Sequence, residues 1–211
     1  MKRFFIWLLR AFIVFLARFF FRPKVYYVDA SVQKRRLKEP SLLVSNHINH
    51  LDGPVIGSVF APAKIHYLAA KDRFENKSLA RLMTLCRCIP IDRKDLDTSW
   101  IHNSLDILRN QKEPLCIFPE GRHGKNGEIL PFHSGITTLA VLSNAPLLLI
   151  YIDGPYQFVF GKRLKMIIDV PMHLNPPTQG LTADYIQQES DRLRERMLFL
   201  QQELHRQLQA T

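Results

Sequence analysis

The sequence predicts an α/β fold: a single domain with a mixed β-sheet flanked by helices, preceded by an N-terminal helical segment at a membrane interface. Three observations carry this reading. Apolar runs of strand length alternate with segments whose apolar residues recur at helical spacing, several of those runs end in polar clusters, and the first 22 residues are apolar with their arginines on one side. At 211 residues, with 46% apolar and 23% charged side chains, the chain suits one domain with a sizeable core. The expected division is a membrane-associating segment over 1–24 and a catalytic-type domain over 25–211, its motifs within about 41–177 and a packing helix over about 182–209.

Phe4 to Phe21 is almost wholly apolar, but Arg10 and Arg18 interrupt it. An arginine at the bilayer centre costs about 3 kcal/mol, which argues against simple spanning. Arg3, Arg10, Arg18 and Arg22 fall within about 120° on a helical wheel, opposite Phe4, Phe5, Leu8, Phe12, Phe15, Leu16 and Phe19. The expectation is a helix lying in the interface, with Lys34-Arg35-Arg36 and Lys38 adding attraction to anionic headgroups. A tilted or broken spanning helix, a signal anchor and a core helix with solvated arginines are the alternatives.

Val25–Val28 reads as a short strand, and Ser41–Ser45 as a buried one. Asp52 and Pro54 suit the start of a helix through Phe60, so His47 falls in the strand-to-helix crossover. Strands are expected at Ile65–Ala70, Cys88–Ile91, Leu115–Phe118, Leu147–Ile152 and Lys165–Val170. Helices are expected around Lys77–Cys86, from Asp97 or Thr98 to Asn110, and over Ile136–Ser143. Thr182 caps a last helix whose apolar face is Ile186, Leu193, Met197, Leu200, Leu204 and Leu208.

The formal charge of +10 is uneven, +8 of it lying in residues 1–40. Basic charge set among membrane-seeking aromatics, with no recognisable nucleic-acid motif, points away from a nucleic-acid partner and towards a membrane surface. Cys86, Cys88 and Cys116 leave one thiol unpaired in any disulfide scheme, which suits a reducing, cytosol-facing location. Cys86-x-Cys88 lacks zinc-site spacing, so no metal is expected there.

Four polar clusters sit at strand ends: Asn46-His47-x4-Asp52, Lys71, Ile91-Asp92-Arg93 and Phe118-Pro119-Glu120-Gly121-Arg122. Five positions separate His47 from Asp52, about 140° apart on a continuous helix, so they meet only if the chain turns between them. Alone, the pair reads as a loop histidine and a capping aspartate, and Arg93 or Glu120-Gly121-Arg122 as surface features. Together they describe a base, an orienting acid and several cations at neighbouring strand ends. That set suits attack by a hydroxyl on an acyl group, with an anionic acceptor held by the cations.

On these motifs the chain resembles the glycerophospholipid acyltransferase family, of the 1-acylglycerol-3-phosphate acyltransferase (PlsC) type. The matching motifs run in order from about Ser41 to Pro177, including Pro146–Ile152 and Asp153-Gly154-Pro155. The resemblance implies acyl transfer from acyl-CoA or acyl carrier protein to a lysophospholipid hydroxyl, most readily that of 1-acyl-glycerol-3-phosphate. His47 is then the base and Asp52 its orienting partner. Asn46, Lys71, Arg93, Glu120, Gly121 and Arg122 become the substrate-binding set, and no metal or organic cofactor is required. Arg122 follows Gly121 directly, where the commonest form of the family motif has an intervening Thr, and His123 takes the usual Arg place. This leaves lysophosphatidylethanolamine as an alternative acceptor. Asn49 and His50 also depart from the frequent Ser and aromatic residues. Two readings of another class remain: a metal-dependent hydrolase using His47, His50 and Asp52, and a basic nucleic-acid-binding module.

Overall fold

A computed structural model describes residues 2–32, 37, 39–92, 98–124, 127–157, 161–178 and 180–210. Arg93 and the basic residues 34–36 and Lys38 lie outside the described residues. Helix α1 spans Lys2–Phe21 and is followed by strand β1, Lys24–Tyr27. Then come β2 Leu42–Ser45, α2 Asp52–Val59, β3 His66–Ala70, α3 Lys77–Leu85 and β4 Cys88–Ile91. The second half runs α4 Ser99–Asp106, β5 Leu115–Ile117, α5 Gly135–Ser143, β6 Leu147–Asp153, β7 Lys165–Ile168 and α6 Ala183–Gln209. The sequence placed each of these to within a few residues. The helix after Thr98 is divided: α4 passes into a π-helical turn at Ile107–Gln111, closed by Lys112 in the left-handed region.

The strands form one mixed sheet in the order β1-β7-β6-β2-β5-β3-β4. Each neighbouring pair is parallel except β6 with β7. All of β2, and β6 up to its last residue, are buried, because helices cover both faces of the sheet. Leu42, Val44, Leu147, Leu149 and Tyr151 point into one core layer with Leu193, Met197, Leu200 and Leu204 of α6. Leu43, Leu148, Ile150 and Ile152 point into the other, with Val55 and Ile56 of α2 and Ala17 and Phe21 of α1. Alternation along the strands thus sorts residues between layers in which almost every position is apolar. Thr182 caps α6, its hydroxyl accepting from the Tyr185 N–H at 3.2 Å.

Arg10 and Arg18 of α1 turn onto the domain. Arg10 Nε donates to the Leu85 carbonyl at 2.6 Å, and Arg18 Nη1 to the Ser58 carbonyl at 3.3 Å. Both acceptors lie in the last turn of a helix, α3 and α2 respectively, where carbonyls lack intrahelical partners and the dipole favours a cation. The arginine side therefore grips the domain, while Phe4, Trp7, Phe12 and Phe15 remain 53–68% exposed.

At the start of β3, His66 Nε2 lies 2.7 Å from Glu113 and 3.1 Å from Arg87. Burial lowers the His66 pKa, with Arg87 and Arg10 acting in the same direction and Glu113 opposing. His123 is also lowered, by burial and then by His47, His50 and Arg73, against Asp52. A folded-state pKa below the ordinary 6.5 means that the unfolded chain binds more protons under that pH. Stability should be full above about pH 6.5 and fall as acidification proceeds from there towards the folded pKa values. Urea melts should therefore show a lower midpoint at pH 5.5 than at pH 7.5, and His66→Gln should narrow the difference.

Candidate active site

The polar clusters gather where parallel strands end: His47 beyond β2, Lys71 beyond β3, Asp92 beyond β4 and Glu120 beyond β5. Such a crevice is where ligands bind in open α/β sheets. The chain turns sharply between His47 and Asp52, and His47 Nδ1 comes 2.7 Å from Asp52 Oδ2. The same oxygen accepts the backbone N–H groups of Ile48 at 2.8 Å and Asn49 at 2.9 Å.

Asp52 is thus not the N-cap that its position suggests. It is the first residue of α2, and its carboxylate serves the loop before the helix instead of the helix's own N–H groups. A carboxylate oxygen only accepts, so Nδ1 is the donor in this contact, and in the neutral imidazole the lone pair lies on Nε2. Asp52 itself is fully buried, whereas the His47 side chain keeps 19% exposure, so the imidazole can be reached and its partner cannot.

The neighbouring loops fix the ring. Asn46 is buried and clasps Ile152 of β6, accepting its N–H at 2.7 Å and donating to its carbonyl at 2.9 Å. Glu120 is also buried, one oxygen accepting the His47 N–H and the other the Leu130 N–H, both at 3.0 Å. Burial raises its carboxyl pKa above the usual range, against the two N–H bonds that favour the anion. Within the expected substrate-binding set, these two side chains thus hold the loop that carries His47. Gly124 donates its N–H to the His47 carbonyl at 2.8 Å, and a Cβ there would lie 2.2 Å from the Glu128 carbonyl oxygen. Only glycine fits that crossing of two backbones.

Phe118 stacks on His47 with ring centroids 4.2 Å apart, and His123 meets it edge-on at 4.1 Å. His50 meets His123 edge-on, with ring centroids 4.3 Å apart. Gly121 turns the loop at φ 66° with its N–H on the Phe118 carbonyl, and Arg122 is exposed beside it. Lys71 is exposed and pairs with Asp92 at 3.1 Å. Arg93, expected at the next strand tip, falls outside the described residues. Among the described residues, no three His, Cys, Asp or Glu side chains converge as a metal-holding group.

One partner of the pair escaped the sequence reading. The Tyr156 hydroxyl, on the loop after β6, donates to Asp52 Oδ1, so both carboxylate oxygens are engaged. The two residues are 104 positions apart and no spacing pattern links them. Tyr67 of β3 braces α2 from beneath: its hydroxyl donates to the Gly53 carbonyl at 2.9 Å, and the same oxygen would lie only 3.0 Å from a Cβ at Gly57.

The chain is 30% identical over 136 residues to the 1-acyl-sn-glycerol-3-phosphate acyltransferase of Bacillus subtilis, covering 63% of this chain and 66% of that protein. It is 29% identical over 173 residues to the human alpha form of the same enzyme, covering 79% of this chain and 60% of the relative. It therefore spans a little under two-thirds of the length of these relatives. The crystal structure of the acyltransferase PlsC from Thermotoga maritima shares the fold, with a TM-score of 0.60 at 15% identity over 89% of this chain and 77% of that one. A family model described as Acyltransferase matches residues 4–153, from α1 to the end of β6, and by that match the chain belongs to the acyltransferase family.

Proposed function

We propose that this chain transfers a fatty acyl group from a thioester, acyl-CoA or acyl carrier protein, to the free hydroxyl of 1-acyl-glycerol-3-phosphate, giving phosphatidate. The observation that carries the reading is His47 Nδ1 held 2.7 Å from a fully buried Asp52, at the strand ends of an acyltransferase fold. Relatives named for this activity support the choice of acceptor.

In this mechanism His47 Nε2 takes the hydroxyl proton as the oxygen attacks the thioester carbon. Asp52 stabilises the imidazolium that results. Collapse of the tetrahedral intermediate breaks the C–S bond, and the imidazolium returns its proton to the departing thiolate. No enzyme acyl group forms in this scheme, and the thioester already carries the activation that a metal or organic cofactor would otherwise supply. Lys71 lies exposed at a strand tip and, with Arg93 and Arg122, forms the cationic set assigned to the acceptor's phosphate.

Membrane phospholipid is the proposed resting surface, and α1 the element that meets it. The helix is long and apolar enough to cross a membrane, with mean hydropathy 2.1 over Phe4–Phe21. However, one face is committed to the domain through Arg10, Arg18, Ala17 and Phe21, so the reading is a helix lying in the interface on its aromatic face. The +8 charge of residues 1–40 and the free thiols of Cys86, Cys88 and Cys116 fit the cytoplasmic leaflet.

A product matrix tests the proposal. Purified protein is incubated with acyl-CoA or acyl carrier protein and with 1-acyl-glycerol-3-phosphate or lysophosphatidylethanolamine, and the lipids are weighed by mass spectrometry. Phosphatidate should dominate. Exclusive formation of phosphatidylethanolamine would reassign the acceptor, and no product with either donor would overturn the activity.

A further inference from the structure

The hydrogen bond from Tyr156 to Asp52 is one end of a longer contact path. The Tyr156 ring meets Phe21, the last residue of α1, edge-on with centroids 5.2 Å apart. The loop that carries Tyr156 is strapped to the same corner: Arg163 Nε donates to the Arg22 carbonyl at 2.7 Å, and the Lys24 N–H to the Leu164 carbonyl at 2.8 Å. Phe21 is buried, and Tyr156 packs onto the core layer that Phe21, Val55 and Ile56 share. A continuous chain of contacts therefore runs from α1 through Phe21 and Tyr156 to Asp52 and His47.

We propose that Tyr156 is a positioning residue for the His47–Asp52 pair, and that through its ring it makes the orientation of that pair depend on how α1 is seated. The inference rests on the reading of His47 as the base. Three features assign the role. First, Tyr156 stays a donor: burial, and then the adjacent Asp52 carboxylate, hold its phenol well above the ordinary range, so the O–H keeps its proton. Second, Asp52 Oδ2 is fixed by three N–H groups while the Tyr156 hydroxyl is the side-chain donor on Oδ1, so the plane of the carboxylate is set by this bond. Third, the ring also meets α1 itself, the element with the exposed aromatic face. A helix displaced from its bed moves Phe21, frees the ring and lets the carboxylate rotate away from Nδ1. A helix held in place keeps the base aligned.

Tyr156→Phe keeps the ring against Phe21 and removes only the hydroxyl, so the variant should fold. It should lower kcat about 10-fold with KM for both substrates unchanged, the pattern of lost alignment rather than lost binding. The carboxylate, relieved of one donor, becomes a stronger acceptor for Nδ1–H, so the acid limb of the kcat/KM profile should move to higher pH. Phe21→Leu should also lower kcat, but should add nothing in the Tyr156→Phe background, because its effect passes through that hydroxyl. A readout free of turnover accompanies these: the downfield proton NMR signal of the imidazole N–H, identified by its loss in His47→Gln, should shift in Tyr156→Phe. Unchanged kcat and an unmoved N–H signal in Tyr156→Phe would overturn the positioning role, and additive effects of the two substitutions would overturn the link to α1. If His47→Ala remains active, the reading of the base fails instead, and the N–H signal still reports whether Tyr156 orients the pair.

Discussion

Replacing His47 by alanine lowers kcat/KM by about 10³-fold or more while leaving the fold in place. The first half of this expectation follows from the proposed chemistry: a positioned base contributes about 10²–10⁴-fold in proton transfer, and in that mechanism the same imidazole both accepts the hydroxyl proton and returns it to the thiolate. The second half follows from the surroundings of the ring. Asp52 loses one donor but keeps the N–H groups of Ile48 and Asn49 and the Tyr156 hydroxyl, so its carboxylate is not stranded. The His47 backbone bonds to Glu120 and Gly124 do not involve the side chain and persist. The cost in stability should be about 1 kcal/mol, visible as a small change in urea midpoint beside an assay that is nearly silent. A variant retaining a tenth of the activity would require another base.

Stripping the aromatic face of α1 should detach the 211-residue chain from membranes without unseating the helix. In the quadruple variant Phe4→Ser, Trp7→Ser, Phe12→Ser and Phe15→Ser, each lost side chain is more than half exposed in the free protein. At roughly 100 Å² apiece and about 25 cal/mol per Å², their transfer into lipid is worth at most about 10 kcal/mol. Even half of that is more than a 10³-fold change in partition. Co-sedimentation with anionic liposomes should fall at least 100-fold, and turnover of acceptor embedded in those liposomes should fall with it. Because Arg10, Arg18, Ala17 and Phe21 are untouched, the thermal midpoint should hardly move. Undiminished sedimentation would move the membrane contact elsewhere on the domain.

Most of the fold was legible because the sheet is buried on both sides. β2, β5 and β6 read as unbroken apolar runs, and each parallel strand announces its end with a polar cluster. The encounter of His47 with Asp52 was legible too, since only a turn reconciles their spacing with contact. What escaped depends on contacts between segments remote in sequence. The wheel of α1 located the arginines correctly on one side but could not reveal that this side meets the carbonyl ends of α2 and α3. Asn46 and Glu120 carry polar groups that suit a ligand equally well, and only the fold shows their oxygens taken by Ile152, His47 and Leu130. Tyr156 gave no local signal, because a tyrosine in a Pro-containing loop is ordinary until a carboxylate 104 residues away is brought to its hydroxyl.

The antiparallel pairing of β6 with β7 decides more than the outline of the sheet. The register sets Asp153, where β6 ends, against Lys165, where β7 begins, and Lys165 against Lys24, where β1 begins. The run Asp153, Lys165, Lys24 is a straight line across three strands at the reactive rim, and α1 stops three residues before it. Had β7 and β1 followed the direction of the other strands, the end of α1 would be delivered to the opposite rim, a strand's length from His47. One reversal of direction therefore lets the same twenty-residue helix be both the element proposed to meet the membrane and, through Tyr156, a neighbour of the carboxylate that holds His47.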